Sequence, residues 1–174
     1  LMYARAQRWQ VLQGSDALVT APYQRAPQLG VQWRGAGGGL EFALETELNR
    51  FTLPADESAV GRLTGNRAHA LGSVAWPFRE PGWWVVPRLS FNAASYRLDT
   101  ADSEGRRNRS RVIPTASMDL GLEFERRTEG FGRGLVQTLE PRFLYVNTPY
   151  EAQAAYPVFD TAAKDFNFAS IYSE

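Results

Sequence analysis

Gln137-Thr138-Leu139-Glu140-Pro141-Arg142-Phe143-Leu144-Tyr145 alternates polar and apolar side chains inside one candidate strand. Thr138, Glu140 and Arg142 fall on one side, and Leu139, Pro141, Phe143 and Tyr145 on the other. Successive strand residues point to opposite faces, so such a segment separates two media: core from water, or lipid from a polar lumen. The fold class turns on which of those two it is.

The same two-residue period runs through three more segments. Leu40, Phe42, Leu44, Thr46 and Leu48 oppose Glu41, Ala43, Glu45, Glu47 and Asn49. Trp83, Val85, Pro87, Leu89 and Phe91 oppose Arg88, Ser90 and Asn92, and Met118, Leu120, Leu122 and Phe124 oppose Ser117, Asp119, Glu123 and Glu125. Eight strands are predicted, at about Met2 to Gln13, Gln28 to Trp33, Gly39 to Leu53, Arg67 to Phe78, Trp83 to Leu98, Arg111 to Arg126, Leu135 to Asn147 and Phe166 to Tyr172. The first, second and fourth alternate poorly. Several exceed the roughly 5 to 6 residues usual in soluble sheets and fit the roughly 9 to 11 of a tilted membrane crossing.

Connections between these segments alternate in length: long around Gly14 to Pro27, Pro54 to Asn66, Asp99 to Ser110 and Pro149 to Asp165, short at Arg34 to Gly38, Arg79 to Gly82 and Arg127 to Gly134. Antiparallel hairpins that cross a bilayer show this asymmetry. Trp83, Trp84, Tyr145, Tyr150, Tyr156 and Tyr172 stand at strand ends, where amphipathic rings meet headgroups. No apolar run approaches the roughly 18 residues of a membrane helix. With 19 basic and 19 acidic residues the formal charge is zero, which argues against a nucleic-acid surface. The chain has no cysteine, so this segment holds neither a disulfide nor a thiolate metal site. It starts at Leu1 without a signal-like stretch and is expected to be part of a longer protein.

Four segments carry a resemblance: Pro22-Tyr23-Gln24-Arg25-Ala26-Pro27-Gln28-Leu29, Asp119-Leu120-Gly121-Leu122-Glu123-Phe124-Glu125-Arg126, Gln137-Thr138-Leu139-Glu140-Pro141-Arg142, and Pro157-Val158-Phe159-Asp160-Thr161. In order and spacing the chain resembles the outer-membrane LPS-assembly protein family, also called the organic solvent tolerance proteins. The resemblance implies an all-β fold of antiparallel transmembrane strands, with residues 1–174 forming about eight consecutive strands inside a large outer-membrane β-barrel. The family's periplasmic jelly-roll domain, its cysteines and the terminal strands of its lateral gate are expected to lie outside this segment. The implied role is non-catalytic and cofactor-free, the assembly of lipopolysaccharide into the outer leaflet. Its partners would be lipopolysaccharide, an outer-membrane lipoprotein that plugs the lumen, and membrane lipid.

On that reading the lumen side is Glu41, Glu45, Glu47, Arg88, Asn92, Asp119, Glu123, Glu140 and Arg142. The lipid side is Leu40, Phe42, Leu44, Leu48, Val85, Leu89, Phe91, Leu120, Leu122, Phe124, Leu139 and Phe143. Pro87 and Pro141 lack an amide donor and mark a bulge, an edge or a local weakening of the ladder.

Other constellations carry less. His69 is the only histidine, and Gly72-Ser73 nearby has no nucleophile-elbow pattern, so catalysis is not expected. Asp99, Asp102 and Glu104 share a loop but lack the spacing of a calcium loop. Arg106, Arg107, Arg109 and Arg111 form a basic cluster suited to phosphate, or simply a solvated loop. Asn108-Arg109-Ser110 fits a glycosylation acceptor that an outer membrane would make irrelevant, and Gly35 to Gly39 is read as a turn. Two rivals remain: a soluble β-sandwich binding carbohydrate through Trp83, Trp84 and Tyr96, and a small closed outer-membrane barrel whose first and eighth strands pair.

Overall fold

The computed structural model describes residues 1–9, 21–54, 62–130, 132–153 and 155–160, and all regular structure among them is β. Ten strands are formed there: β1 (Met2–Gln7), β2 (Gln24–Gly37), β3 (Leu40–Thr52), β4 (Gly65–Ala75), β5 (Phe78–Glu80), β6 (Trp83–Leu98), β7 (Asn108–Leu122), β8 (Phe124–Gly130), β9 (Arg133–Leu139) and β10 (Arg142–Asn147). One antiparallel sheet runs β1-β2-β3-β4-β6-β7-β10, with β5 extending the pairing of β4 along β6, and β8 pairs with β9 separately. Among the described residues β1 pairs only with β2 and β10 only with β7, so the sheet is open. The predicted strand Phe166 to Tyr172 lies outside the described residues, as does the predicted first strand from Gln10 on, while Arg8 and Trp9, expected in that strand, follow its end at Gln7. No described helix is long and apolar enough to cross a membrane.

The chain makes fewer hairpins than ten strands imply. Ala75 faces Arg88 and Phe78 faces Val85, a single register interrupted at Trp76-Pro77, opposite Val86-Pro87. Gly121 likewise faces Arg142 and Phe124 faces Leu139, one register interrupted at Glu123 and Glu140-Pro141. The interruptions sit at Pro77, Pro87 and Pro141, which have no N–H for the ladder. Pro141 still accepts a hydrogen bond from the Leu122 amide at 3.0 Å, and Pro87 one from Trp76 at 3.0 Å. Gln137 to Tyr145 is therefore one extended segment with a proline break rather than one uninterrupted strand.

Tight turns collect at one end of the sheet. Gly38 and Gly39 join β2 to β3 with φ of 61° and 79°, as a type I′ hairpin requires. Pro81-Gly82, with Gly82 at φ 89°, has the type II signature. At the same end β8 and β9 run on beyond the β5–β6 turn as an exposed hairpin. Longer connections lie at the opposite end, joining β1 to β2, β3 to β4 and β6 to β7. The expected long and short alternation holds among these connections; β2 runs past its predicted bounds at both ends and β4 and β7 start earlier than predicted, whereas β3 and β6 keep theirs to within a residue and β1 ends at Gln7. β2, β3, β6 and β7 hold 14, 13, 16 and 15 residues.

The two faces have an inverted polarity. Leu48, Leu89 and Val112 are 56, 63 and 65% exposed, whereas Gln28, Asn49 and Ser117 are buried. Packed soluble sheets do the reverse. Five buried apolar residues, Phe51, Ala94, Tyr96, Leu98 and Phe159, form one small cluster at the long-connection end on the polar face, apart from the buried Ala75 and Val86.

Why β2 and β4 alternate poorly is now visible. β2 has one extra residue against both neighbours between Arg25 and Gln28, a bulge at Ala26-Pro27 that switches which face its residues serve. In β4, Gly72 lies opposite Phe91, and a Cβ there would overlap the Phe91 ring. Gly30 opposite Tyr3 and Gly121 opposite Trp84 repeat the device, each glycine making room for an aromatic ring across the ladder.

Candidate functional site on the polar face

Register places the sequence-predicted residues on two faces. Glu45 lies opposite Leu71, and Leu71 opposite Asn92, while Glu41 lies opposite Ala75, and Ala75 opposite Arg88. Glu47 is on the same side of β3, and Asp119 is joined to Arg142 by a bidentate ion pair at 2.8 and 2.7 Å. Trp84 turns inward to hydrogen-bond Asp119. Glu123 and Glu140 stand at the breaks flanking β8 and β9, both exposed, and belong to the rim rather than to the sheet proper. On the other face Leu40, Phe42, Leu44 and Leu48 share a side of β3. Phe143, Leu120 and Val85 lie in one row across β10, β7 and β6. Leu89, Phe91 and Leu122 continue that side, and Phe124 pairs with Leu139 in the β8–β9 hairpin.

The strand-end aromatics divide. Trp83 is 41% exposed on the apolar face near the tight turns, joined there by Trp76 and Phe78 with ring centroids 5.2 Å apart. Tyr156 instead packs inward against Tyr96 at 6.0 Å. Tyr172 lies outside the described residues.

The densest part of the polar face was not singled out from sequence. Glu47 accepts hydrogen bonds from Tyr3 Oη and Gln28 Nε2, each at 2.7 Å, and from Asn49 Nδ2. Arg67 lies opposite Asn49 on the neighbouring strand, with Nη2 3.7 Å from Glu47. Arg67 then reaches Asp160 through two bonds of 2.5 and 3.0 Å, and Arg25 reaches the same carboxylate at 3.3 Å. Charge-assisted bonds of this kind are roughly twice as strong as neutral ones, and burial raises the cost of leaving any member unpaired.

Above the charges the segment after β10 folds back across the face. Phe159 stacks on Phe51 with centroids 4.4 Å apart and planes 10° apart, and Tyr23 meets Phe159 edge-on at 5.2 Å. Tyr156 Oη donates to the Ser110 carbonyl at 2.9 Å, and Arg111 donates to Gln153. The arginine cluster of the sequence is thereby dispersed: Arg111 goes to this strap, and Arg109 to Asp102 and Glu104 at 2.6 and 2.8 Å. His69 Nε2 lies 3.1 Å from Asn92 Oδ1. The four segments that carry the resemblance are thus joined in pairs, Tyr23 and Arg25 with Phe159 and Asp160, and Asp119 with Arg142.

The β6–β7 connection is tied by its own acids. Arg50, then Thr64, hold the Asp99 carboxyl below its ordinary value. The Arg106 amide does most to lower Asp102, helped by Arg109 and the Glu104 amide. Both carboxylates have folded-state values below the unfolded one near 3.9, so their contribution is present above that pH and is lost as pH falls through the folded values. Residues 99–107 are expected to stay closed from pH 7 to 5 and to loosen only below about pH 4, read as faster proteolysis of this loop by an acid-active protease. Opening already at pH 5.5 would contradict these pairings.

A β-sheet that gathers its charges on one face and bares a band of leucine, phenylalanine, valine and tryptophan on the other has the polarity of strands that meet lipid. The family model for LPS transport system D, LptD, matches residues 2–174, and the chain belongs to that family. It is 43% identical over 173 residues to the LPS-assembly protein LptD of Paracidovorax citrulli. Identity is 41% over 172 residues with the protein of that name from Acidovorax sp. (strain JS42), and 38% over 178 residues with that from Ralstonia nicotianae. Each alignment covers 98% of this chain and 21% of the relative, so the chain spans about a fifth of the length of these proteins.

Proposed function

We propose that this chain is a section of the wall of a large outer-membrane β-barrel, a non-catalytic part of the translocon that assembles lipopolysaccharide into the outer leaflet. The observation that carries the reading is the inverted polarity of the sheet. Leu40, Phe42, Leu44 and Leu48, with Val85, Leu89, Phe91, Leu120, Leu122 and Phe143, face lipid. Glu41, Glu45, Glu47, Arg88, Asn92, Asp119 and Arg142 line a hydrated lumen. From Leu40 to Leu48 the strand advances roughly 26 Å at about 3.3 Å per residue, and a tilt of about 40° turns that into about 20 Å of height. That is close to the roughly 25 Å apolar band of known barrels.

The relatives are LPS-assembly proteins, which supports lipopolysaccharide as the cargo. The remaining partners on this reading are a lipoprotein plug in the lumen and lipid outside. Long connections face the cell exterior and tight turns the periplasm. A soluble sandwich would need a second sheet over Leu44, Leu48 and Leu89, and no described strand covers them.

Single cysteines test the assignment in the full-length protein made otherwise cysteine-free and placed in lipid vesicles. Leu44→Cys, Leu48→Cys and Phe91→Cys are expected to resist a charged maleimide, and a fluorophore placed at these positions to be quenched by brominated lipid. Glu45→Cys and Asn92→Cys are expected to react with the maleimide and to escape quenching. Equal labelling of both sets would remove the membrane reading.

A further inference from the structure

One carboxylate on the polar face sits where a ligand would. Asp160 bridges two arginines presented by different strands, with Arg67 forked onto both its oxygens and Arg25 touching one. The Arg67 and Asp160 side chains are only 11 and 15% exposed. Arg25 reaches this face because the bulge at Ala26-Pro27 turns it there; in unbroken register with Gln28 it would point to the apolar side. Around the pair lie polar atoms that the chain leaves unmatched. Gln28 and Asn49 are 4 and 3% exposed, and Gln28 Oε1, Asn49 Oδ1 and Arg67 Nε are buried without a partner among the described residues. Buried polar groups are normally satisfied, and such exceptions call for a specific explanation.

We propose that Arg25 and Arg67 form a clamp for the phosphate monoester of a phosphorylated sugar, and that Asp160 occupies this clamp as an internal stand-in until the ligand displaces it. Guanidinium forks bind carboxylate and phosphate with the same bidentate geometry, and phosphate brings more charge and a third oxygen, which Arg67 Nε can meet. Sugar hydroxyls donate to Gln28 Oε1 and Asn49 Oδ1. Asp160 leaves together with its neighbour Phe159, which uncovers the Phe51 ring now stacked beneath it at 4.4 Å and offers an apolar floor to a sugar ring. The strap is tethered to the sheet, so its carboxylate competes at high effective concentration and weakens the apparent affinity of the open clamp.

The proposal rests on the polar face being a hydrated lumen, which the cysteine labelling tests separately. Maleimide reaction of Glu45→Cys and Asn92→Cys without phosphate binding would sink the clamp alone, whereas failure of both to react would sink the lumen reading. The test uses the full-length protein with its natural partners in neutral detergent, titrated with glucose 6-phosphate, inorganic phosphate, glucose, or micelles doped with phosphatidic acid. Glucose 6-phosphate is expected to bind saturably and more tightly than inorganic phosphate, with no binding of glucose. Asp160→Asn should tighten it about tenfold by removing the competitor, and Arg67→Lys, which keeps the charge but loses the fork, should weaken it about tenfold. Ligand should also speed proteolysis at residues 148–153 as the strap lifts. Unchanged affinity in Asp160→Asn, or binding of phosphatidic acid without binding of glucose 6-phosphate, would overturn the proposal.

Discussion

Replacing Leu44 with arginine is expected to cost about 2 to 4 kcal/mol of folding into a bilayer, the penalty for a cation at the lipid midplane of a β-barrel. At about 1.4 kcal/mol per tenfold, that lowers the folded ratio by a factor of roughly 30 to 700. Leu44 sits midway along the apolar side of β3, between Leu40 and Leu48, and is flanked across the ladders by Trp33 and Gly72. An arginine there cannot bring its head to water without crossing about half the apolar band. Glu45→Arg, one residue on, points to the face shared by Gln32 and Leu71 and meets no such barrier. Its cost should stay below about 1 kcal/mol, the range of exposed charge changes. Urea titrations of the full-length protein folding into vesicles measure both. Equal costs would mean that the two positions do not see different media.

The contrast between neighbours explains how far the sequence could be read. A period of two is set by the backbone, so β3, β6 and β7 betrayed their faces wherever a charge alternated with a large apolar residue. Glu45 against Leu44, and Asp119 against Leu120, are such pairs. The signal failed where local geometry overrode periodicity. In β2 the bulge at Ala26-Pro27 exchanges the faces midway, so Arg25 and Gln28 share a side although they are an odd number of residues apart. In β4 the apolar side is Ala68, Ala70, Gly72 and Val74, mostly small residues, with Phe91 reaching across from β6 over Gly72. That side reads as featureless until the register is known. The charged site itself was illegible for another reason. Tyr3, Glu47, Arg67 and Asp160 lie on separate segments, and only Glu47 belongs to a strand with strict alternation. Asp160 stood out by resemblance alone, because its partners are 93 and 135 residues away in the chain.

Gly65→Val is expected to be the most damaging glycine substitution in the sheet, at about 3 kcal/mol or more, the upper range for overpacking. A Cβ at Gly65 would overlap the Arg97 carbonyl oxygen and stand 2.9 Å from the Leu98 Cα. Both are backbone atoms of β6, so no rotamer change relieves the contact, and β4 must move away from β6. Gly65 also lies opposite Phe51, the floor under Phe159, so the displacement should reach the strap and raise its protease sensitivity. Gly72→Val meets a ring instead of a backbone, and Phe91 can swing toward the open apolar face, which predicts an intermediate loss of about 1 to 2 kcal/mol. Gly134→Val in β9 meets nothing within 4 Å and should change stability by less than about 0.5 kcal/mol. The ordering matters more than any single value, since glycine and valine differ in strand propensity by a similar amount at all three sites and only the crowding differs. Urea midpoints in vesicles that fail to rank Gly65 above Gly72 above Gly134 would show that close approach of β4 and β6 is not what requires glycine at the start of β4.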